Sequence, residues 1–276
     1  MKIFYLLLGI FTFVELNCEN LFDTQHDSLK NDTEFLPDSY HHWNNGKYWK
    51  KLNHIGQEII ACGEDSGRWM LPDMVALCEV ENDSVMRDLT KRSLLRQARY
   101  EYIVTNSPDE RGIDVALLYS PFSFQLIDWH AIRVKPIKDM RPTRDILYAS
   151  GRVISGDTVH VFVVHAPSRA GGELVSRPNR MAVAKKLTSA IDSVKAISPL
   201  AKIIVAGDFN DYINDKSLQY ICNSGMTDVS ADAHGNNGAK GTYKFKGEWG
   251  SLDHLFCSNA LRTMVIGCCI ADYKFL

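Results

Sequence analysis

Five apolar runs of this chain adjoin polar clusters of one kind. Asn17 and Glu19 follow Phe11 to Leu16, Glu79 follows Met74 to Cys78, and His165 follows Thr158 to Val164. Asp208 and Asn210 follow Ile203 to Ala206, and Asp253 sits in the apolar segment Ser251 to Cys257. Together these are two Glu, two Asp, two Asn and one His, the set a hydrolytic phosphate site needs. Carboxylates hold a hard cation through a few oxygens and leave room for water and a phosphate. The cation and a protonated histidine would neutralise charge in the transition state. A nearby carboxylate would orient or deprotonate the attacking water. Taken singly, each cluster has an ordinary explanation, because Asp and Asn are common turn residues. Glu79 is the least ordinary, since Glu turns poorly and is rarely buried without a partner.

The elements that must position these groups follow from periodicity and punctuation. KIIVAGDFND, Lys202 to Asp211, has the β-branched run of a buried strand, ended by Gly207. Helical spacing of Leu52, Ile55, Ile59 and Ile60 predicts a helix over Trp49 to Cys62, and similar spacing predicts one over Asn179 to Val194. A short helix is expected over Asp83 to Lys91 and another near Lys216 to Cys222. Strands are expected at Tyr102 to Thr105, Ile113 to Tyr119, Phe122 to Ile127, Ile146 to Ile154, Gly241 to Phe245 and Thr263 to Ile270. Asp23 to Trp49 has no period and reads as a long loop, in which His41 and His42 are ordinary solvated histidines. Strands and helices interleave without strict alternation. The fold class expected is therefore α/β (α+β): two mixed β-sheets packed face to face and flanked by helices, a four-layer sandwich.

Composition sets the bounds. With 276 residues, 45% of them hydrophobic, and neither linker nor repeat, the chain reads as one domain. A net charge of −2 gives no bulk basic signature for nucleic acid, which leaves a local basic groove open. Seven cysteines without a Cys-x-x-Cys spacing support neither a disulfide framework nor a zinc cluster. Residues 1–10 read as a remnant of a secretion signal or as an extension of the first strand, and residues 11–276 as the domain. The apolar run is too short to span a bilayer. The compartment is secreted or periplasmic if that run is a shortened signal, and cytoplasmic otherwise.

Six segments in order, LNCENLFD, ALCEVEN, SPDERGIDVALLY, VVHAPSRAGGE, IIVAGDFND and GTYKFKGEWGSLDHLFCS, span Phe11 to about Asn259. In these the chain resembles the endonuclease/exonuclease/phosphatase superfamily of deoxyribonuclease I-like fold, and most of all a bacterial branch common in Bacteroidetes. The resemblance implies Mg²⁺-dependent hydrolysis of phosphoesters, with Mn²⁺ as the alternative ion. It implies Glu19 and Glu79 as metal ligands, Asn17 and Asn210 as phosphate-orienting groups and His165 as the first of two site histidines. Asp208 would act on the nucleophilic water, and Asp253 would support a catalytic histidine from behind. Arg111 and Arg169 would contact phosphate or substrate, and a solvated surface arginine is an equal reading of each. Where the branch commonly has an aromatic after the first histidine, this chain has Ala166.

The resemblance departs at the end. The branch closes on an Asp-His-apolar-Pro motif. Asp253-His254 belongs to the segment before that motif, and no second Asp-His follows. His254, alternating with Asp253 on a strand, is expected to point to the opposite face. The sequence therefore reads as C-terminally truncated at Leu276, lacking its second histidine. The activity expected is a phosphodiesterase of endonuclease type, on a phosphoester that includes nucleic acid among the candidates. The alternatives are a phosphomonoesterase on a small or lipid-linked phosphate, and a truncated, weakly active or inactive phosphate-binding relative. No protein partner is predicted.

Overall fold

In the computed structural model, which describes residues 2–7, 10–65 and 68–273, the chain begins with an antiparallel pair, Lys2–Leu7 (β1) and Ile10–Leu21 (β2). The signal remnant expected over residues 1–10 lies partly outside the described residues, and the apolar end Phe275-Leu276 wholly so. The loop that follows holds one 3₁₀ turn, Thr33–Phe35. Helix α1 spans Asn45–Ala61, four residues earlier than Trp49, because the Asn44 side chain accepts from the Lys47 amide and caps it. A two-strand ribbon, Glu64–Asp65 (β3) with Arg68–Trp69 (β4), leads to Met74–Val80 (β5). Asn82 caps α2 (Asp83–Arg87), which runs on into a π turn. Glu101–Val104 (β6), Asp114–Tyr119 (β7), Phe124–Ile132 (β8), Ile146–Val153 (β9) and Thr158–His165 (β10) follow.

Helix α3 spans Glu173–Ile197 and so contains Pro178, where the sequence predicts a start at Asn179. A proline in the second turn loses one backbone bond, to the carbonyl of Leu174, a residue at the exposed start of the helix. Then come Lys202–Asp208 (β11), Lys216–Asn223 (α4), Met226–Asp228 (β12) and the hairpin of Tyr243–Phe245 (β13) with Glu248–Gly250 (β14). Asp253–Ser258 (β15), Asn259–Arg262 (α5) and Val265–Ile270 (β16) complete the described chain.

Two six-stranded sheets result, in the orders β16-β1-β2-β5-β7-β6 and β12-β15-β11-β10-β9-β8. Both are mixed: β2 runs parallel to β5 and β10 parallel to β11, while the remaining pairs are antiparallel. Side-chain alternation sorts the apolar residues into layers. Phe13, Ala76 and Val115 of one sheet meet Val161, Ile204 and Leu255 of the other between the sheets. Val14, Leu77 and Leu118 point outward onto Leu52 and Ile59 of α1. Val205 and Phe256 point outward onto Leu187 of α3 and Leu218 of α4. This is the helix–sheet–sheet–helix sandwich.

Candidate active site

Strand parity delivers the polar groups. On β10, Val159, Val161 and Val163 face the layer between the sheets, so His165, two residues on, faces it too. On β11, Ile204 and Ala206 face it, so Asp208 does; on β15, Leu255 and Cys257 face it, so Asp253 does. Register completes the alignment. His165 pairs with Asp208 across the parallel ladder and Asp208 with Asp253 across the antiparallel one. Three polar groups therefore stand in a row at one end of the inter-sheet layer.

The opposite sheet reaches the same end by breaking its ladder. The β2–β5 pairing is regular to Asn17 opposite Cys78 and resumes only at Leu21 opposite Val80. Glu79 is bulged out between Cys78 and Val80, with φ of 61°. Glu19 and Asn20 also adopt positive φ, as does Asn210 at 53°. Non-glycine residues in this region carry strain of about 1 to 3 kcal/mol each, and they collect at functional sites. The bulge overrides parity for Glu79, which would otherwise point toward α1.

His165 Nε2 lies 3.8 Å from Glu79 Oε1 and 3.9 Å from Asp208 Oδ2. One ligand atom from each of Glu79, His165 and Asp208 falls within 4.8 Å of the others. Asn17 Nδ2 donates to Asp208 Oδ2 at 3.1 Å, and its own Oδ1 accepts from the Glu19 amide at 2.8 Å. The Asn210 amide donates to Asp208 Oδ1 at 2.8 Å, while its side chain donates to the Ala166 carbonyl at 3.1 Å. Burial pushes the Asp208 carboxyl well above the usual carboxylate range, with Asp253 and Glu79 adding to the effect. Burial, together with Arg144 and Arg111, holds the His165 imidazole well below its ordinary value. Both effects favour the neutral ring, whereas the sequence predicts a protonated one.

The donor set fits a divalent cation. Separations of 3.8 and 3.9 Å are too long for hydrogen bonds yet within the span of two donors sharing one ion. A buried carboxylate flanked by two others is the charge imbalance that a cation relieves. Glu19 is not one of the three. It is exposed, and its carbonyl accepts from Lys51 Nζ.

The arginines differ. Arg111 is exposed and donates to Asn20 Oδ1 at 3.2 Å, beside the bulge. Arg169 is committed to the loop after β11: it donates to the Asn210 carbonyl at 2.8 Å, pairs with Asp211 and Asp215, and lies over the Tyr212 ring. Sequence reading missed Arg144, buried beside His165, which pairs with Asp109 at 3.2 Å and donates to the Ala166 carbonyl at 2.7 Å. No pattern marks it, since arginine is usually exposed. His254 faces away from Asp253, buried between Asp228 Oδ2 at 2.7 Å and the Asp211 carbonyl at 3.0 Å. Asp114 also turns away and holds the Thr105 and Ser107 loop. Loops 109–111, 138–144 and 167–171 and the start of α3 line a partly open cavity of about 680 Å³ on the Arg144 side of the centre.

Residues 12–274 match the sequence profile of the Endonuclease/Exonuclease/phosphatase family. The chain belongs to this family. Endonuclease/exonuclease/phosphatase proteins hydrolyse phosphoester bonds, and this chain is a member of that class of hydrolytic enzymes. A mannosyl-6-phosphatase from Bacteroides thetaiotaomicron superposes with a TM-score of 0.62 at 15% identity, over 90% of this chain and 85% of that one. The human Nocturnin catalytic domain, solved with a bound sulfate anion, gives 0.57 at 20% identity over 76% and 74%. Truncated Caenorhabditis elegans TDP2 gives 0.56 at 18% over 78% of each chain. At such identities the likeness establishes the fold. Sequence comparison with curated proteins found no match. Among the described residues, no helix is long and apolar enough to cross a membrane.

Proposed function

We propose that the protein is a divalent-cation-dependent phosphoesterase acting on the phosphate of a small alcohol. The observation that carries this reading is the convergence of Glu79, His165 and Asp208 within 4.8 Å, with Asn17 and Asn210 bonded to Asp208. Mg²⁺, or Mn²⁺ given the imidazole in the set, would be held by Glu79 with Asp208 beside it, Glu19 lying further out. Bound there, the ion would supply charge neutralisation to the phosphate oxygens. His165, neutral and buried, presents Nε2 to the same space and can hydrogen-bond a phosphate oxygen or, through its proton, the leaving group. With a bound cation favouring its ionised form, Asp208 would take a proton from the attacking water, steadied by Asn17 and the Asn210 amide. Asp253 sets the field at Asp208, and Arg111 stands at the rim where an anionic substrate enters. The cavity of about 680 Å³ next to the centre is within the size range of small-molecule sites.

A nucleic-acid phosphodiesterase is the second reading. It is favoured by the β13–β14 hairpin, where Tyr243 stacks with Phe245, Lys244 lies over Trp249 and Lys246 over Phe245. Exposed aromatics interleaved with lysines suit single strands. The deciding measurement is turnover of p-nitrophenyl phosphate against bis(p-nitrophenyl) phosphate, with and without EDTA. Faster EDTA-sensitive turnover of the monoester is expected. Preference for the diester would select the second reading, and EDTA-resistant turnover would remove the cation from both.

A further inference from the structure

Behind the loop that carries Asp208, one histidine is held by partners that fix its proton count. His254 lies on β15, 2% exposed, on the same face as Phe256. Its Nδ1 is 2.7 Å from Asp228 Oδ2 at the end of β12, and its Nε2 is 3.0 Å from the backbone carbonyl of Asp211. A carbonyl only accepts, and so does an ionised carboxylate. A neutral imidazole has one N–H and satisfies one such partner, so a ring that bonds both is doubly protonated. Asp228 is the ionised member of the pair. Its other oxygen accepts from the Ser230 amide at 2.8 Å and the Ser230 hydroxyl at 2.6 Å, bonds that favour the charged form. Ser230 Oγ in turn accepts from the Leu255 amide at 3.0 Å, which ties the carboxylate back to β15.

The bond to Asp211 reaches the reaction centre through the turn that begins at Asp208. Within that turn the Asn210 amide donates to Asp208 Oδ1 at 2.8 Å, and the Asn210 side chain donates to the Ala166 carbonyl at 3.1 Å. Asn210 does this with φ of 53°, a conformation that persists only where the surroundings over-determine it. At Asp211 they act on both side chain and backbone. The carboxylate takes Arg180 at 2.6 Å and Arg169 at 3.1 Å, and the carbonyl takes His254. These ions and Asp228 are the charged groups around the ring, and Phe209 and Phe256 pack beside it with centroids at 6.0 and 5.9 Å. A bond donated by a charged ring is about twice as strong as a neutral one, which suits it to hold a strained turn.

We propose that His254 is a positioning residue for the hydrolysis: held as an imidazolium by Asp228, it anchors the Asp211 carbonyl and so keeps Asp208 and Asn210 aligned at the centre. It acts only through the loop. The positioning role rests on the phosphoesterase reading above, whereas the anchoring bond and the charge of the ring do not.

The charge is tested by ¹⁵N NMR of the full chain labelled at its histidines, with His254→Phe identifying the signal. Both His254 nitrogens should carry protons at neutral pH, and Asp228→Asn should return the ring to a single N–H on Nε2. A parent ring with a single N–H would overturn the charged anchor. The positioning is tested in the Asp228→Asn background, where no buried carboxylate is stranded. There His254→Phe keeps the ring contacts and removes the donor, while His254→Gln offers an amide nitrogen in place of Nε2. With p-nitrophenyl phosphate and Mg²⁺, the Phe protein should have a kcat at least about tenfold below that of the Gln protein and a KM within about twofold of it, as expected when a reacting group is slightly misplaced. Equal kcat in the two would overturn the positioning role. Deuterium exchange of the Asn210 amide needs no activity, and it should be at least about tenfold faster in the Phe protein than in the Gln protein. Equal exchange would overturn the anchor itself. No turnover of any ester by the parent removes the phosphoesterase reading, and the exchange rates then decide the anchor alone.

Discussion

His165 and Asp208 stand side by side across the parallel β10–β11 ladder, with His165 Nε2 3.9 Å from Asp208 Oδ2. The gap is too wide for a hydrogen bond, and each group is buried against further charge of its own sign. Arg144 and Arg111 depress the histidine, while Asp253 and Glu79 raise the aspartate. Both groups are driven toward their neutral forms in the protein alone.

Asp208→Asn should therefore separate stability from activity. Replacing the carboxyl with an amide removes the repulsion and also one of the two acceptor oxygens used by Asn17 and the Asn210 amide, so Tm in EDTA should change by only a few degrees. Turnover should fall by about 10²- to 10⁴-fold, the range for loss of a positioned acid or base. Thermal melts and initial rates on the same preparation check both; an unchanged rate would take Asp208 out of the chemistry.

Glu79→Gln keeps the bulge and removes the charge. Titration with Mg²⁺ or Mn²⁺ by calorimetry should show affinity reduced by at least tenfold. Glu19→Gln, at an exposed position outside the three-residue cluster, should weaken it less. The reverse order would move the metal to the outer carboxylate.

Gly207 adopts φ of 142°, and a Cβ there would sit 1.8 Å from the Val164 carbonyl oxygen. Gly207→Ala should destabilise the protein by about 3 kcal/mol, combining a forbidden backbone with a clash in the ladder that aligns His165 with Asp208. Urea denaturation measures it, and a loss below about 1 kcal/mol would show that the two strands can separate freely there.

Beneath the loop after β11, Arg180 and Asp211 form an ion pair at 2.6 Å, both 1% exposed. Arg180→Met leaves Asp211 without its buried partner and should cost about 3 to 5 kcal/mol. Arg180→Met with Asp211→Asn should recover much of that. A double-mutant cycle reads the difference; additive losses would mean the two do not act as a pair.

Asp73, buried at the head of β5, accepts from the Thr12 amide at 2.7 Å. Burial raises its carboxyl above the ordinary value despite that bond. The folded state then binds a proton more readily than the unfolded chain, so stability falls as pH rises from about 4, the unfolded value, through the raised folded value. Asp73→Asn should flatten Tm against pH across that window and gain on the parent protein above it. A parallel displacement of the two curves would assign the slope to other groups.

Much of this was legible in one dimension. The β-branched runs at Ile203 to Ala206 and Met74 to Cys78 are strands because such residues pack well in a buried pleat, and the polar residues behind them mark where each strand leaves the core. Asn17, His165, Asp208 and Asp253 were identifiable because strand parity is written in the sequence. The Asn179 start of α3 was misread because a proline normally ends or opens a helix, and here an early turn tolerates it.

The tertiary structure decided what parity could not. It bulged Glu79 into the inter-sheet layer with φ of 61°, left Glu19 exposed, and turned Arg169 onto the Asn210 loop. It buried His165 and placed Arg144 beside it, and both disfavour the charged ring. Alternation fixes which face a side chain takes within a strand. Bulges, ion pairs and desolvation depend on the sheet lying opposite, which is far away in sequence.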